Sequence, residues 1–153
     1  RRAKVLAARG GGDPRQLAAV LASPPVSEDP EGERRRLLAE AYLRLDPPEL
    51  SKARDELAAY LAVPSRLPAP ALARVRLRLG EVHVALNEGE AARSRLTEIG
   101  PAADPDVTAG AKLLLARLAA AEDKWGEAVK LFEAAQATPG LPRDQLDTVR
   151  YLT

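Results

Sequence analysis

The amino-acid sequence predicts an all-α protein, and three observations support this class. Alanine and leucine dominate the 153 residues with 30 and 24 copies, whereas isoleucine occurs once and aromatic residues make up 3%. A sheet needs β-branched and aromatic residues on its pleated faces, so this composition disfavours strands. Apolar residues recur at helical spacing along the chain, and proline and glycine interrupt them at short intervals. We therefore expect helices joined by turns and no strand.

The helices follow from their start and stop signals. Asp13 followed by Pro14 is the pattern of an N-cap with proline in the first turn, and the run Gly10–Gly12 ends the helix before it. Proline-rich loops separate later helices, and short turns join them in pairs. The predicted nine helices cover about residues 4–9, 14–21, 31–45, 49–63, 69–86, 90–99, 106–122 and 124–137, with the last running from about 142 to the end.

Composition excludes several kinds of site. The chain has no cysteine and one histidine, which excludes disulfides, thiol catalysis, iron–sulfur clusters and zinc sites built from cysteine or several histidines. The chain has 23 lysine and arginine residues and 22 aspartate and glutamate residues, which gives a net charge of +1. Nucleic-acid-binding domains usually carry a much larger positive charge. No apolar run is long enough for a membrane span. We expect no cofactor, no metal and no nucleic-acid partner.

The chain begins at Arg1 without methionine, and we expect it to be part of a longer chain. The basic residues at its start are followed by an apolar run that is too short for a secretory signal. The sequence therefore does not indicate in which compartment the protein is located. Arginine outnumbers lysine 18 to 5, which together with the alanine and proline content favours a bacterial source.

A repeated pattern is clearest in residues 113–135, where a leucine and a small residue in one helix precede a small–large–small series in the next. This unit resembles the tetratricopeptide repeat. The matching residues are Leu115, Ala116, Ala119, Ala128, Phe132 and Ala135, with Trp125 in the turn and Pro139 near the usual closing proline.

Two further copies precede this one. The nearer copy lies 36 residues earlier in the chain. The copy closer to the N-terminus has two extra residues in its turn at Asp46-Pro47-Pro48. The earlier copies consist of Leu79, Gly80, His83, Ala92, Leu96, Ile99 and Pro101, and of Leu38, Ala39, Tyr42, Ala53, Leu57, Tyr60 and Pro64.

The resemblance implies one domain over residues 1–153 that forms a right-handed solenoid of αα-hairpins. Its parts are a degenerate hairpin at 1–22, repeats at about 31–64, 69–101 and 106–139, and a partial helix at 142–153. Small residues at the crossings let helices approach closely, and large ones fill the space between hairpins. The alternative is an irregular alanine-rich helical bundle.

Three features suggest chemistry and have simpler interpretations. His83 has no second histidine to join it, so we interpret it as a packed, hydrogen-bonded side chain rather than a ligand or base. The Gly10–Gly12 run lacks the strand and motif of a phosphate loop. Arginine clusters at 34–36 and 74–78 have acidic neighbours, which favours solvated helix faces over a nucleic-acid strip. No catalytic motif is present, so we predict that the chain is not an enzyme.

The resemblance implies that the first helix of each repeat lines a concave groove. Carried over, the candidate partner-binding residues are Arg36, Glu40, Leu43, Arg44, Arg74, Leu77, Glu81, Val84, Leu113 and Arg117. Asn87 is the only asparagine and is predicted in a turn, so the carboxylate clamp known in the family is absent. The mixed charged and aliphatic lining suits a peptide, or else is merely a solvated surface.

Two functions follow as hypotheses. The first is a non-catalytic scaffold that binds a protein or peptide along the groove. The alternative is a structural subunit that stacks head to tail with copies of itself, because the predicted last helix leaves apolar residues uncovered. A weaker third possibility is an accessory domain of an enzyme whose catalytic part lies outside these residues.

Overall fold

The structure is a computed structural model that describes residues 13–22, 32–62, 68–101 and 103–139. Within these ranges the chain forms seven α-helices and no strand, which confirms the all-α class. The helices are α1 (Pro14–Ala22), α2 (Glu33–Leu43), α3 (Leu50–Ala62), α4 (Ala69–Ala85), α5 (Gly89–Thr97), α6 (Pro105–Ala121) and α7 (Trp125–Gln136).

Each of these helices begins and ends within two residues of its predicted range. The predicted cap is also present, because the backbone N–H of Arg15 donates to Oδ1 of Asp13 at 3.0 Å. The other two predicted helices, at 4–9 and from 142 onward, lie outside the described residues.

The chain divides into two compact units, Arg1–Arg66 and Leu67–Thr153. In the first unit, α2 packs against both α1 and α3. Its core contains Leu17, Leu21 and Leu38, and Leu57 of α3 is also fully buried. Apolar side chains from all three helices thus stabilise the unit by leaving water.

A glycine at the start of α2 allows a close contact with α3. Gly32 has a φ of +66°, a left-handed conformation that glycine adopts without strain. A Cβ at this position would lie 3.3 Å from Cδ2 of the buried Tyr60 ring. Glycine therefore meets both a backbone requirement and a steric one.

In the second unit, α4 packs on α5 and α6 packs on α7, so that two hairpins form. Helix α6 also contacts both α4 and α5, which joins the hairpins side by side. The residues predicted at the repeat's contact positions in this unit are buried, except for three that are only half-buried, Ile99, Leu115 and Phe132. Leu115 and Phe132 lie in the last described hairpin, where no following helix covers them within the described ranges.

The turns of these two hairpins repeat each other at a spacing of 36 residues. Asn87 and Asp123 have φ values of 60° and 59°, in the left-handed region that asparagine and aspartate tolerate. The next residue in each turn, Glu88 or Lys124, donates its N–H to a carbonyl five residues back at 2.9 Å. This pairing satisfies carbonyls at the helix end, as in a Schellman motif. The 36-residue spacing of the sequence repeat is therefore also the spacing at which the same turn conformation recurs.

The crossing of α4 and α5 depends on the missing side chain of Gly80. A Cβ there would lie 2.7 Å from Cδ2 and 2.9 Å from Cγ of Leu96, closer than packed carbon atoms approach. Leu96 is 2% exposed and Ala92 on the same helix is fully buried, so the leucine has little room to move. The two helices therefore approach closely at Gly80, and the side chain of α5 nearest to it is the large Leu96, which the repeat pattern had placed between hairpins.

We expect Gly80→Ala to destabilise the fold. Alanine gains about 1 kcal/mol of helix propensity over glycine, but overpacking a core typically costs about 1–3 kcal/mol. The net loss should be up to about 2 kcal/mol in urea unfolding. Gly126→Ala is the matched control, because a Cβ on this helical glycine meets nothing within 4 Å. The Gly126→Ala protein should have the same free energy of unfolding as the parent or a higher one. A Gly80→Ala protein as stable as the parent would contradict a close approach of the two helices at Gly80.

Candidate functional site

The ten candidate residues divide between the two units. Arg36, Glu40 and Leu43 lie on α2, and Arg44 follows that helix directly. The other six lie on α4 and α6, which contact each other within the second unit. The six are Arg74, Leu77, Glu81, Val84, Leu113 and Arg117.

Arg36 is held by its own helix. Its Nη2 and Nε donate to the two carboxylate oxygens of Glu33, one turn earlier, at 2.6 and 3.0 Å. This hydrogen-bonded pair raises the pKa of Arg36 above its ordinary value. The guanidinium is therefore oriented along α2 by Glu33, whereas Arg44 is exposed and its side chain forms no ion pair with the described residues.

Arg74 connects the two hairpins of the second unit. Its Nε and Nη2 donate to Oδ2 of Asp104 at 3.1 and 2.5 Å, and Asp104 is the residue that precedes α6. The guanidinium is largely exposed, so the ion pair contributes modestly to stability. It orients Arg74 toward the neighbouring hairpin, and a partner must compete with Asp104 to bind this cation.

Glu81 and Leu77 are also engaged within the chain. Oε2 of Glu81 accepts from Nη1 of Arg78 at 2.8 Å, one turn apart on α4. Cδ2 of Leu77 lies 3.3 Å from where a Cβ of Gly110 on α6 would be. Leu77 therefore packs into the seam between α4 and α6 while remaining partly exposed.

Leu113 and Arg117 lie one turn apart on the other side of this seam. Leu113 is half-buried, and Arg117 is exposed. Arg117 forms no hydrogen bond or ion pair with any residue that the structure describes. The α4/α6 face, defined by the six candidate residues on these helices, thus combines half-buried aliphatic side chains with one unengaged cation.

An ion cluster that the sequence did not reveal joins α5 to the next turn. Nη2 and Nη1 of Arg93 donate to Glu122 and Glu127, each at 3.1 Å, and Lys124 donates to Glu122 at 2.7 Å. The hydrogen bonds from Lys124 and Arg93 lower the pKa of Glu122. Arg93 and its acidic partners stand 29 and 34 residues apart, and no local pattern marks such a pair.

His83 is packed as predicted. It is 8% exposed, and its Nδ1 lies 2.5 Å from Oε2 of Glu88 in the turn that follows α4. One ring nitrogen thus has a carboxylate partner, which satisfies a polar group that burial removes from water. Within the described ranges, no three histidine, cysteine, aspartate or glutamate side chains come together in a way that would hold a metal ion. None of the described helices has both the length and the apolar character to cross a bilayer.

No family model, curated protein or solved structure matches the chain. Function is therefore inferred from the contacts and exposure of this chain's own residues. Those contacts separate the candidate residues into two groups. Arg36, Arg74 and Glu81 are held by charges of the same chain, whereas Arg44 and Arg117 are available to a partner.

The Arg93 cluster predicts a pH dependence of stability. Folding lowers the pKa of Glu122. The ionised carboxylate therefore stabilises the fold fully at pH values above its unfolded-state pKa of about 4.3. This stabilisation is lost as the pH falls through the lower, folded-state pKa. We expect Glu122→Gln to lower the free energy of unfolding at pH 7 and to have a much smaller effect at pH 3, as measured in urea. Glu133→Gln is the control, because Glu133 is exposed on α7 and forms no ion pair with described residues. Equal losses at both pH values would exclude an electrostatic role.

Proposed function

We propose that the chain is a non-catalytic scaffold of the tetratricopeptide repeat type, a solenoid of αα-hairpins that binds a protein or peptide. Support for the repeat comes from the 36-residue recurrence of the turns at Asn87 and Asp123. Further support comes from α6, which contacts both helices of the hairpin before it. Stacking of this kind buries a continuous core that no hairpin completes alone.

The observation that carries the binding role is the α4/α6 face. Leu77 and Leu113 remain half-buried on helices that lie side by side, next to the unengaged cation of Arg117. Aliphatic anchors and a charge on adjacent helices match a peptide that has apolar side chains and a carboxylate. Binding would cover the aliphatic surface and pair the guanidinium.

Arg117 offers the cleanest test of this role. Peptides selected on the protein from a random displayed library serve as probes, and fluorescence anisotropy measures their affinity. Arg117→Glu should weaken the binding of the selected peptides about three- to tenfold. This is the effect expected when one exposed ion pair is lost and a repulsion between like charges replaces it. Lys130→Glu is the matched control, because Lys130 is an exposed cation on α7 that forms no ion pair with described residues. Equal affinities for both variants and the parent would refute binding at this face.

Arg74 requires a different design because it already binds Asp104. Arg74→Glu alone would place two carboxylates together and destabilise the fold. The exchanged pair, Arg74→Glu with Asp104→Arg, keeps an ion pair between the same positions while it reverses the lining charge. We expect this double variant to retain its melting temperature and to lose less affinity for the selected peptides than Arg117→Glu does, because Asp104 already occupies the Arg74 cation. A stable double variant with unchanged affinity would remove Arg74 from the binding face.

The alternative function is self-assembly by stacking between chains. One observation favours it, because Trp125 and Val129 on α7 are 61% and 53% exposed. Apolar side chains on consecutive turns are an expected contact for another helix. Sedimentation velocity over a wide range of protein concentrations tests this function. Stacking between chains would raise the sedimentation coefficient as the concentration increases. A sedimentation coefficient that stays at the value of the monomer would exclude it.

A further inference from the structure

The helix pairs α2–α3, α4–α5 and α6–α7 each have a cation at the same place in their first helix. Arg35 on α2, Arg76 on α4 and Lys112 on α6 each stand three residues before the leucine of the repeated pattern. Those leucines are Leu38, Leu79 and Leu115. In each pair the cation contacts the second helix or a residue that directly follows it. We refer to the three cations as the clasp residues.

Lys112 binds the C-terminal end of α7. Its Nζ donates to the backbone oxygen of Ala134 at 2.9 Å and to Oγ1 of Thr138 at 3.2 Å. The buried hydroxyl of Thr138 donates in turn to the same Ala134 oxygen at 3.1 Å. The N–H of Thr138 would pair with this oxygen if the helix continued, but it donates to the carbonyl of Ala135 instead. Lys112 therefore supplies a donor from another helix to a carbonyl that lacks its helical partner.

A cation is well suited to this place at the end of α7. The C-terminus of a helix carries a partial negative charge, which favours a nearby ammonium group. Hydrogen bonds from a charged donor are also stronger than those from a neutral one. Lys112 is half-buried, so its two bonds are less exposed to competing water than those of a surface lysine.

The other two clasp residues bind carboxylates. Nε of Arg76 lies 3.5 Å from Oε2 of Glu98, the C-cap residue of α5. Glu98 stands 36 residues before Ala134, so these two clasps join equivalent points of successive hairpins. In the first unit, Nη1 of Arg35 donates to Oε2 of Glu56, in the middle of α3, at 3.2 Å. One position thus makes the same connection, to a main-chain oxygen in one hairpin and to a carboxylate in two.

The clasp residues are distinct from the candidate partner-binding residues but stand next to them. Each clasp residue is followed directly by one of those candidates, Arg36, Leu77 or Leu113. Successive residues on a helix point about 100° apart. The second residue of each couple is therefore directed away from the contact that the first one makes.

We propose that this position is a clasp that fastens the second helix of each hairpin to the first, and that Lys112 holds the end of α7 on α6. Exposed ion pairs contribute modestly, so the Arg35 and Arg76 clasps should be the weaker ones. Loss of Lys112 leaves a main-chain carbonyl without this donor, so its clasp should have the largest effect. The proposal concerns local opening of the hairpins and does not depend on partner binding at the α4/α6 face.

Hydrogen exchange, measured by NMR, tests the clasp at Lys112. Lys112→Met keeps an unbranched side chain but removes the ammonium group, and the amides of residues 133–138 should then exchange about tenfold faster. The amides of α4 and α5 should keep their rates. Unchanged exchange at residues 133–138 would overturn the proposal. An equal acceleration in every helix would also overturn it, because the lysine would then act on global stability.

Two further variants serve as controls for this measurement. Lys130→Met makes the same change at an exposed cation of α7 that forms no ion pair with described residues, and it should leave all rates unchanged. Lys112→Arg should retain slow exchange, because arginine occupies the clasp position in the other two hairpins. Fast exchange in Lys112→Arg, as fast as in Lys112→Met, would count against a role that the three positions share.

A double-mutant cycle tests whether Arg35 has the same role in the first unit. Arg35→Met and Glu56→Gln should each accelerate exchange of the amides in the middle of α3 about two- to fivefold, because the pair is partly exposed. If the two side chains act through each other, the double variant exchanges no faster than the faster single variant. Effects that multiply in the double variant would mean that the two side chains act separately, which would refute the clasp in this hairpin.

Discussion

The close crossing of α4 and α5 is the constraint on which the second unit depends. Leu96 occupies the volume where a side chain at Gly80 would stand, and fully buried Ala92 lies one turn before it. Two helices can approach this closely only when one contributes almost no side chain at the contact. The leucine of one helix thus fits against the bare backbone of the other, and the hairpin buries its core without a large residue from α4 at this point.

The crossings determine which charges meet. Once the hairpins stand side by side, Arg74 reaches Asp104 and Arg93 reaches Glu122, although each pair is far apart in sequence. Exposed pairs of this kind contribute little to stability individually. Their larger effect is to occupy cations that would otherwise be free, so the α4/α6 face is less charged than its sequence suggests.

This neutralisation refines the proposed function. The predicted lining mixes charged and aliphatic residues, and on α4 Arg74 and Arg78 are each paired with a carboxylate of the chain. Leu77, Leu113 and Arg117 then supply most of what the α4/α6 face offers to a partner. We infer that recognition depends mainly on aliphatic contact, with charge used to select and orient the bound segment.

Local signals in the sequence determined the helices and the hairpin turns. Helical periodicity, the Asp13 cap and the turn residues Asn87 and Asp123 act over a few positions, so they can be recognised without knowledge of the fold. The buried repeat positions, including Ala92 and Leu96, were predicted by the resemblance to the tetratricopeptide repeat, whose series of small and large residues they match. The single-domain organisation and the tetratricopeptide solenoid remain predictions.

Tertiary structure alone decided how the candidate residues are used. Arg74 and Arg117 look equivalent in the sequence, yet one is held by Asp104 and the other has no partner among the described residues. The difference arises because an ion pair depends on distance in space, which is fixed by helix crossings between residues about 30 positions apart. The sequence therefore determined which side chains lie on each helix face, and packing between helices decided which of them remain available.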